Sequence, residues 1–282
     1  TCEPWGGGYD PNGFSDRNWS SWNDQIRNAI KGWNPHDDRG FIFGDWHHDF
    51  DSKKIKRVFS GSLRSEGGQY HKVEHSVNYL ESHDDYTLGD FIRLSIGKNT
   101  EDEVIKNIDA HAKLNNRELA IHKLAAMSLL VSQGPMMISQ GQEWGRSKVI
   151  SNTTIDDKNI GKLDHNSYEK DNETNWLNWN HKVLNIELVT FYKNLITIRK
   201  AYPALRNSDL SDITFLNASD MHGVGFHLHP LGEKQLVVLL NGNNSESVKF
   251  DLPVGDWEAL ISTNDDSELS LLSATSGTIL IQ

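Results

Sequence analysis

The chain is poor in cysteine and in positive charge, and it contains no long apolar run. Cys2 is the one cysteine among 282 residues, so no disulfide can form within the chain and the fold does not depend on an oxidising compartment. No apolar stretch approaches the roughly 18 residues of a membrane-spanning helix, and the first residues are not typical of a signal peptide. We therefore expect no membrane partner, while a cytoplasmic and an exported location both stay open.

Lysine and arginine together number 28 against 39 aspartate and glutamate residues, and the net charge is −11. Such a charge repels phosphate backbones and anionic membrane surfaces, so nucleic acid is not an expected partner. Nine tryptophans are present, and their flat rings stack well on apolar faces such as those of sugar rings. The composition favours a neutral ligand.

Hydrophobic periodicity predicts helices and strands in alternation along the first part of the chain. Helices are predicted over residues 20–33, behind a serine cap, and over residues 51–63, 101–133 and 187–200, with an interruption near Asn115; strands are predicted over residues 73–80 and 136–139. Beyond residue 206 the pattern changes to strands separated by Asn, Gly, Asp and Pro turns, which is typical of a small all-β domain. We expect one domain over residues 1–205 and a second over residues 206–282.

The most informative stretch is residues 77–88, VNYLESHDDYTL. A strand-like run ends at Leu80, and the acidic and imidazole side chains of Glu81, His83 and Asp84 follow it directly. Barrel enzymes keep their chemistry where a strand ends. The phrase resembles the seventh-strand signature of the α-amylase superfamily, in the wording used by its pullulanases, isoamylases and glycogen-debranching enzymes.

Two further segments resemble the same family. Residues 3–8, EPWGGG, followed by residues 22–24, WND, and by Arg27, are similar to its fifth-strand region. Residues 134–145, GPMMISQGQEWG, are similar to its eighth-strand segment, although here the proline directly follows the glycine. The resemblance implies an α/β fold: a partial (β/α)8 TIM barrel, approximately strands 5–8, followed by a small antiparallel β-sandwich.

The resemblance also implies roles for individual residues. Glu3 is expected to be the general acid/base, Asp84 to stabilise the transition state at the cleaved sugar, and His83 to hydrogen-bond sugar hydroxyls. An oxocarbenium-like transition state does gain from a nearby carboxylate. Without the resemblance, Glu3 reads as a surface carboxylate, and His83 with Asp84 as a hydrogen-bonded pair at a strand end. Glu81 and Asp85 are expected to be loop carboxylates.

Substrate contacts are expected from two segments. Trp5 belongs to the same motif as Glu3 and is expected to bind the sugar. Asp171, Asn172 and Trp176 stand at the end of a long polar loop that begins at residue 147, and they resemble a segment of isoamylase-like enzymes in which aromatics and amides line the substrate cleft. The alternative interpretation of Trp176 and Trp179, three residues apart, is a packed helix face.

No cofactor is expected from the residues themselves. Residues 47–49, HHD, form the one histidine cluster and lack the spacing of a zinc site, so we interpret them as a polar loop. The resemblance allows a structural calcium ion, without naming its ligands.

One part of the family's machinery is absent from the sequence. Retaining hydrolysis needs a second carboxylate as nucleophile; in this family it is an aspartate in a Gly-x-Arg-x-Asp phrase on the fourth strand, and no such phrase occurs in the 282 residues. Because the Glu3 segment resembles the fifth strand, the first four strand–helix units are expected upstream of Thr1. The isolated chain is therefore expected to be inactive, with the missing half of the barrel or another copy of the chain as its partner.

These inferences predict part of a retaining α-glucan glycoside hydrolase that cleaves α-1,6 branch linkages in glycogen, starch or pullulan. An amylase-type hydrolase acting on α-1,4 linkages is one alternative. A non-catalytic glucan-binding or assembly module is the other, because the nucleophile phrase is absent.

Overall fold

The computed structural model describes residues 1–46, 51–152 and 157–282. In the first part, short strands alternate with helices: α1 (Pro11–Asp16), β1 (Ser21–Asn23), α2 (Asp24–Ile30), β2 (Gly32–Asn34), β3 (Asp38–Arg39), α3 (Lys54–Phe59), β4 (Ser76–Asn78), α4 (Leu88–Ser95), α5 (Ile108–Ala112), α6 (Asn116–Val131), α7 (Trp179–Leu184) and α8 (Ile186–Ala201). The later part contains β5 (Ile213–Leu216), β6 (Gly223–Leu228), β7 (Leu236–Asn241), β8 (Val248–Lys249), β9 (Glu258–Ser262), β10 (Leu271–Leu272) and β11 (Ser276–Ile281). The predicted change from mixed elements to strands is confirmed.

Short parallel pairings join four segments of the first part into one row. Cys2 pairs with Ser21, β1 pairs with β4 with Ser21 opposite Ser76, and Asn78 pairs with Met136. Since every pairing is parallel, the carboxyl ends of the four segments lie along one edge. Among the described residues this row does not close on itself into a barrel.

The helix predicted over residues 20–33 is wrong at both ends, since α2 ends at Ile30 and strand β2 begins at Gly32. Residues 21–23 form strand β1, and α2 begins only at Asp24. Asn23 caps the helix instead of a serine, because its side-chain oxygen accepts hydrogen bonds from the backbone N–H groups of Gln25 and Ile26 at 3.0 and 3.4 Å. Helical spacing alone could not reveal the neighbouring strand β4, whose pairing holds residues 21–23 extended.

The interruption predicted near Asn115 is confirmed, since α5 ends at Ala112 and α6 begins at Asn116. Asn115 and Glu118 form a capping box in which each side chain accepts a hydrogen bond from the other residue's backbone N–H at 2.9 Å. Helix α6 packs against α8 and against strand β11. The helices of the described residues lack the length and apolar character that crossing a membrane requires.

The later strands form an antiparallel sheet with the order β5-β6-β7-β11-β9, and β8 pairs with β10 in a second, two-stranded sheet. Alternate residues of β7 point to opposite faces: Val238 and Leu240 belong to the main core, whereas Val237 and Leu239 belong to a second core with Val248 of β8. Burial on both faces explains the uninterrupted apolar sequence of β7.

One hydrophobic core joins the two parts of the chain. It contains Ile26 of α2, Phe59 of α3 and Leu130 of α6 together with Phe226 and Ile279 of the sheet. The rings of Phe59 and Phe226 lie 5.8 Å apart. The sheet therefore shares its inner face with the helices, and the domain boundary at residue 206 stays a prediction.

Candidate functional site

The parallel row brings the side chain of Glu3 close to those of the adjacent residues His83 and Asp84, which lie about 80 positions later in the sequence. Glu3 follows the first segment of the row, and His83 and Asp84 follow β4. The Nε2 atom of His83 lies 3.6 Å from Oε1 of Glu3 and 3.4 Å from Oδ2 of Asp84. One ligand atom from each of the three residues falls within 4.8 Å of the others. We call this group the reaction cluster.

Aromatic rings support one side of the reaction cluster. The indole N–H of Trp5 donates to Oε2 of Glu3 at 3.1 Å, so the carboxylate has a defined orientation. Trp22 lies edge-on to His83, with ring centroids 5.6 Å apart, and also contacts Trp5 at 5.9 Å and Tyr79 at 5.4 Å. The three side chains of the cluster remain roughly a third to a half exposed, which leaves them accessible to a ligand.

The turn after Asp84 is held by groups from two other segments. Asp85 has a positive φ of 60°, an uncommon conformation for a residue other than glycine. Its carboxylate lies 4.0 Å from Arg27 and 3.7 Å from His165. Tyr168 adds an exposed ring whose centroid is 6.3 Å from that of His83.

Sequence reasoning missed His165 and Tyr168. The one available signal was that they belong to a long polar loop, since such loops often form working surfaces. Nothing in the sequence indicates which of the loop's side chains reach the reaction cluster.

Glu81 is not the loop carboxylate that was expected. Its side chain is buried, with the residue 1% exposed, and Oε2 accepts a hydrogen bond from the backbone N–H of Leu88 at 2.8 Å. Burial raises the pKa of the Glu81 carboxyl to about 6. Glu81 thus connects the end of the β4 segment to the start of α4. The turn that bears His83 and Asp84 lies between these two points in the sequence.

Among the described residues, the reaction cluster is also the group with the donors for a metal ion. An imidazole nitrogen with two carboxylate oxygens suits divalent transition metals, whereas calcium takes oxygen ligands. This set does not fit the structural calcium ion that the resemblance allows. Residues 47–49, interpreted as a polar loop, lie outside the described residues.

Trp176 lies elsewhere, at a cavity of about 440 Å³ that is also lined by Trp144, Arg146 and Trp179. Trp179 is the first residue of α7 and Trp176 precedes that helix, so the two rings do not form a packed helix face; they are 56% and 65% exposed. None of the described residues lining the cavity belongs to the reaction cluster.

The two polar residues predicted beside Trp176 lie in the turn that leads to it. Asp171 is exposed, and the side-chain oxygen of Asn172 accepts a hydrogen bond from the backbone N–H of Thr174 at 3.0 Å. The structure thus brings Glu3, Trp5, His83 and Asp84 together, whereas Trp176 borders a cavity whose described lining includes neither these residues nor Asp171 and Asn172. Their substrate roles stay predictions.

The chain matches no family model, but curated proteins resemble it. It is 27% identical over 244 residues to the pullulanase of Bacillus subtilis (strain 168), covering 82% of this chain and 29% of that protein. It is 28% identical over 236 residues to an isoamylase of a Flavobacterium species, covering 79% of this chain and 27% of that protein. The chain therefore spans less than a third of the length of these relatives.

Solved structures lead to the same group of proteins. The pullulanase of Paenibacillus barengoltzii, in complex with maltohexaose and α-cyclodextrin, matches with a TM-score of 0.70 and 28% identity, over 93% of this chain and 38% of that one. Pullulanases, isoamylase and glycogen debranching enzymes are thus the neighbours of this chain. The resemblance to debranching-type proteins of the α-amylase superfamily, inferred from the motifs, is confirmed.

Proposed function

We propose that this chain is part of a retaining α-glucan glycoside hydrolase that acts on α-1,6 branch linkages. The curated neighbours are pullulanases, isoamylase and glycogen debranching enzymes, which supports a glucan hydrolase. The observation that carries the proposal is the reaction cluster, in which Glu3, His83 and Asp84 converge within 4.8 Å from segments about 80 residues apart in the sequence.

In the proposed reaction, protonated Glu3 donates its proton to the glycosidic oxygen. The bond between this oxygen and the anomeric carbon breaks with its electron pair staying on the oxygen, and a nucleophilic carboxylate bonds to the anomeric carbon. Glu3 then takes a proton from water, whose oxygen replaces the nucleophile. Asp84 stabilises the positive charge that develops on the sugar ring, and His83 hydrogen-bonds the sugar hydroxyls.

The geometry around Glu3 supports this assignment. The indole N–H of Trp5 donates to one carboxylate oxygen of Glu3, Oε2, at 3.1 Å. The other oxygen, Oε1, lies 3.6 Å from Nε2 of His83. One oxygen is therefore oriented by the indole, and the other is directed into the reaction cluster. Such fixed orientation is what proton transfer in a bound complex requires.

The row of four parallel segments is proposed to be the second half of a (β/α)8 barrel, approximately strands 5–8, with the antiparallel sheets as a sandwich domain. In this proposal the nucleophile comes from a polypeptide carrying the first four strand–helix units, or from another copy of the chain. The absence of a Gly-x-Arg-x-Asp phrase from the sequence supports it.

The test is complementation. The 282-residue chain is mixed or fused with the first four strand–helix units of a related pullulanase, and hydrolysis of pullulan is compared with hydrolysis of linear maltooligosaccharides. We expect negligible hydrolysis by the chain alone and restored pullulan cleavage in the complemented protein. Cleavage of the linear substrate alone would refute the branch-point assignment, and enzyme-like hydrolysis by the chain alone would refute the requirement for an external nucleophile.

The missing nucleophile phrase favours one other function, a glucan-binding module without hydrolytic activity. The same complementation separates the two: a complemented, folded protein that binds glucan but does not hydrolyse it supports the binding module. Hydrolysis that depends on Glu3 supports the enzyme.

A further inference from the structure

We propose that the reaction cluster is also a binding site for a zinc ion, held by Oε1 of Glu3, Nε2 of His83 and Oδ2 of Asp84. Zinc binds imidazole nitrogen and carboxylate oxygen, and it accepts three protein ligands with a fourth position left open. Zinc binding follows from the positions and charges of these three side chains alone. Its consequence for hydrolysis, competition with the sugar, rests on the proposed function.

The spacing of the three donor atoms is close to that of zinc ligands. Two ligand atoms at about 2.1 Å from a tetrahedral zinc ion lie about 3.4 Å apart. Nε2 of His83 lies 3.6 Å from Oε1 of Glu3 and 3.4 Å from Oδ2 of Asp84. The two carboxylate oxygens lie within 4.8 Å of each other, so bringing this pair to the same spacing requires a movement of about 1.4 Å at most. Both carboxylate side chains are partly exposed, which leaves room for this movement.

The charge of the reaction cluster favours a cation. Among the described residues, the ion-pair partner of both Glu3 and Asp84 is His83, and neither carboxylate pairs with a lysine or an arginine. Arg27 contacts the adjacent Asp85 instead. Two carboxylates therefore face a single imidazole, and a divalent ion bound between them offsets the repulsion of their like charges.

A histidine beside a carboxylate is not by itself a metal site, as two other exposed histidines show. His36 lies 3.2 Å from Glu101, a pair that supplies two donors instead of three. His71 contacts Oδ1 of Asp16, but Nη1 of Arg64 lies 2.9 Å from the same oxygen, so a cation already occupies it. Within the part of the chain that the structure describes, three donors converge at the reaction cluster.

Neighbouring rings hold two of the three ligands in place. The indole N–H of Trp5 donates to Oε2 of Glu3 at 3.1 Å, which leaves Oε1 available to the ion. The ring of Trp22 packs edge-on against that of His83 at 5.6 Å. Groups that orient metal ligands in this way typically contribute about 10–100-fold to metal affinity. The site is therefore largely formed before an ion arrives.

A bound zinc ion and a bound sugar exclude each other. Zinc occupies Oε1 of Glu3, the oxygen that is directed into the reaction cluster, and Nε2 of His83, which is proposed to hydrogen-bond the sugar hydroxyls. In the complemented protein, zinc should therefore raise the apparent KM for pullulan and leave kcat unchanged.

The test measures zinc binding to the untagged 282-residue chain by isothermal titration calorimetry. Cobalt(II) is the second probe, because its visible absorption reports coordination by protein ligands. The ligand variants are Glu3→Gln, His83→Ala and Asp84→Asn, and Trp5→Phe removes the hydrogen bond to Glu3. His36→Ala is the matched control, since His36 is an exposed histidine beside one carboxylate.

A second control addresses the one histidine cluster of the sequence, residues 47–49. The double variant His47→Ala with His48→Ala tests whether zinc binds there instead. Circular dichroism checks that every variant is folded.

We expect the wild-type chain to bind one zinc ion at the reaction cluster. Each ligand variant should weaken this binding by more than about 100-fold, because a ligand contributes more than the groups that orient it, and Trp5→Phe should weaken it by about 10–100-fold. His36→Ala and the double histidine variant should leave it unchanged. Unchanged binding in the three folded ligand variants would overturn the proposal, and so would a wild-type chain that binds no zinc or binding that is lost in the double histidine variant alone.

The outcomes separate this proposal from the proposed function. A chain that binds zinc through the three ligands, in a complemented protein that does not hydrolyse glucan, supports the zinc site and refutes the enzyme. Hydrolysis that depends on Glu3, in a chain whose reaction cluster binds no zinc, supports the enzyme and overturns the zinc site. Hydrolysis that saturating zinc does not inhibit would refute the mutual exclusion of zinc and sugar.

Discussion

The two parts of the chain use β-strands in opposite ways. In the first part the paired parallel strands are three residues long, and the side chains that follow them meet at one edge. In the later part the antiparallel strands reach six residues, and their side chains fill two cores. Parallel pairing requires long connections between strands, and long connections supply functional side chains. We therefore expect the functional side chains to lie in the first part, and we expect the sheet to contribute much of the free energy of folding.

The largest effect that tests this contrast is expected in catalysis. In the complemented enzyme, Glu3→Gln removes the proton donor without changing the size of the side chain, so kcat on pullulan should fall by about 10²–10⁴-fold with little change in KM. Steady-state kinetics measure both. Glu66→Gln is the control, since Glu66 is an exposed carboxylate outside the reaction cluster, and wild-type kcat in Glu3→Gln would contradict the assignment.

A core substitution in the sheet tests whether the two parts unfold together. Phe226 is 2% exposed and packs on Phe59 of α3 at 5.8 Å, so Phe226→Ala should lower the free energy of unfolding by about 3–5 kcal/mol. Eight of the nine tryptophans precede residue 206, so tryptophan fluorescence during urea unfolding reports mainly on the first part. If the urea midpoint of the fluorescence transition is the same in Phe226→Ala as in the wild type, the sheet unfolds independently of the first part. Phe226→Leu, which keeps much of the side chain, should cost less.

The turn that carries His83 and Asp84 should have its own pH dependence. Burial raises the pKa of Glu81 from its ordinary 4.5 to about 6, so the folded state holds this proton more tightly than the unfolded state does. The resulting stabilisation is complete below pH 4.5 and is lost as the pH rises through 6, a change of roughly 2 kcal/mol. Urea unfolding between pH 4 and 7 should show that the free energy of unfolding of Glu81→Gln lacks this decrease. An equal change of the free energy of unfolding with pH in the variant and the wild type would contradict the raised pKa of Glu81.

The smallest effect is expected at a helix cap. Asn115→Ala removes the side-chain oxygen that accepts from Glu118 at 2.9 Å, and it should lower the free energy of unfolding by about 1 kcal/mol. Asn116→Ala, at the adjacent exposed position, is the control and should change stability by less than about 0.5 kcal/mol. Equal effects of the two substitutions in thermal unfolding would show that the cap contributes nothing specific.

Much of the candidate site was visible in the sequence because its key residues stand in contiguous phrases. Glu3 with Trp5, and His83 with Asp84, are recognised within a few residues of each other. His165 and Tyr168 were not, because their approach to Asp85 and His83 depends on the path of a long loop. The burial of Glu81 was missed for a similar reason. Helix α4 follows Glu81 in the chain and donates its first backbone N–H to the Glu81 carboxylate, but the packing of α4 does not show in the local sequence.

Local patterns by themselves determined the two long helices α6 and α8, the apolar run of β7, the interruption near Asn115 and the acidic and imidazole residues at strand ends, because each depends on neighbours within a few positions. Only the tertiary structure decided that Glu3 and Asp84 meet, that residues 21–23 are extended, and that Trp176 and Trp179 border a cavity of their own. Each of these depends on pairing or packing between segments distant in the sequence, and hydrophobic periodicity carries no information about which distant segment becomes the neighbour.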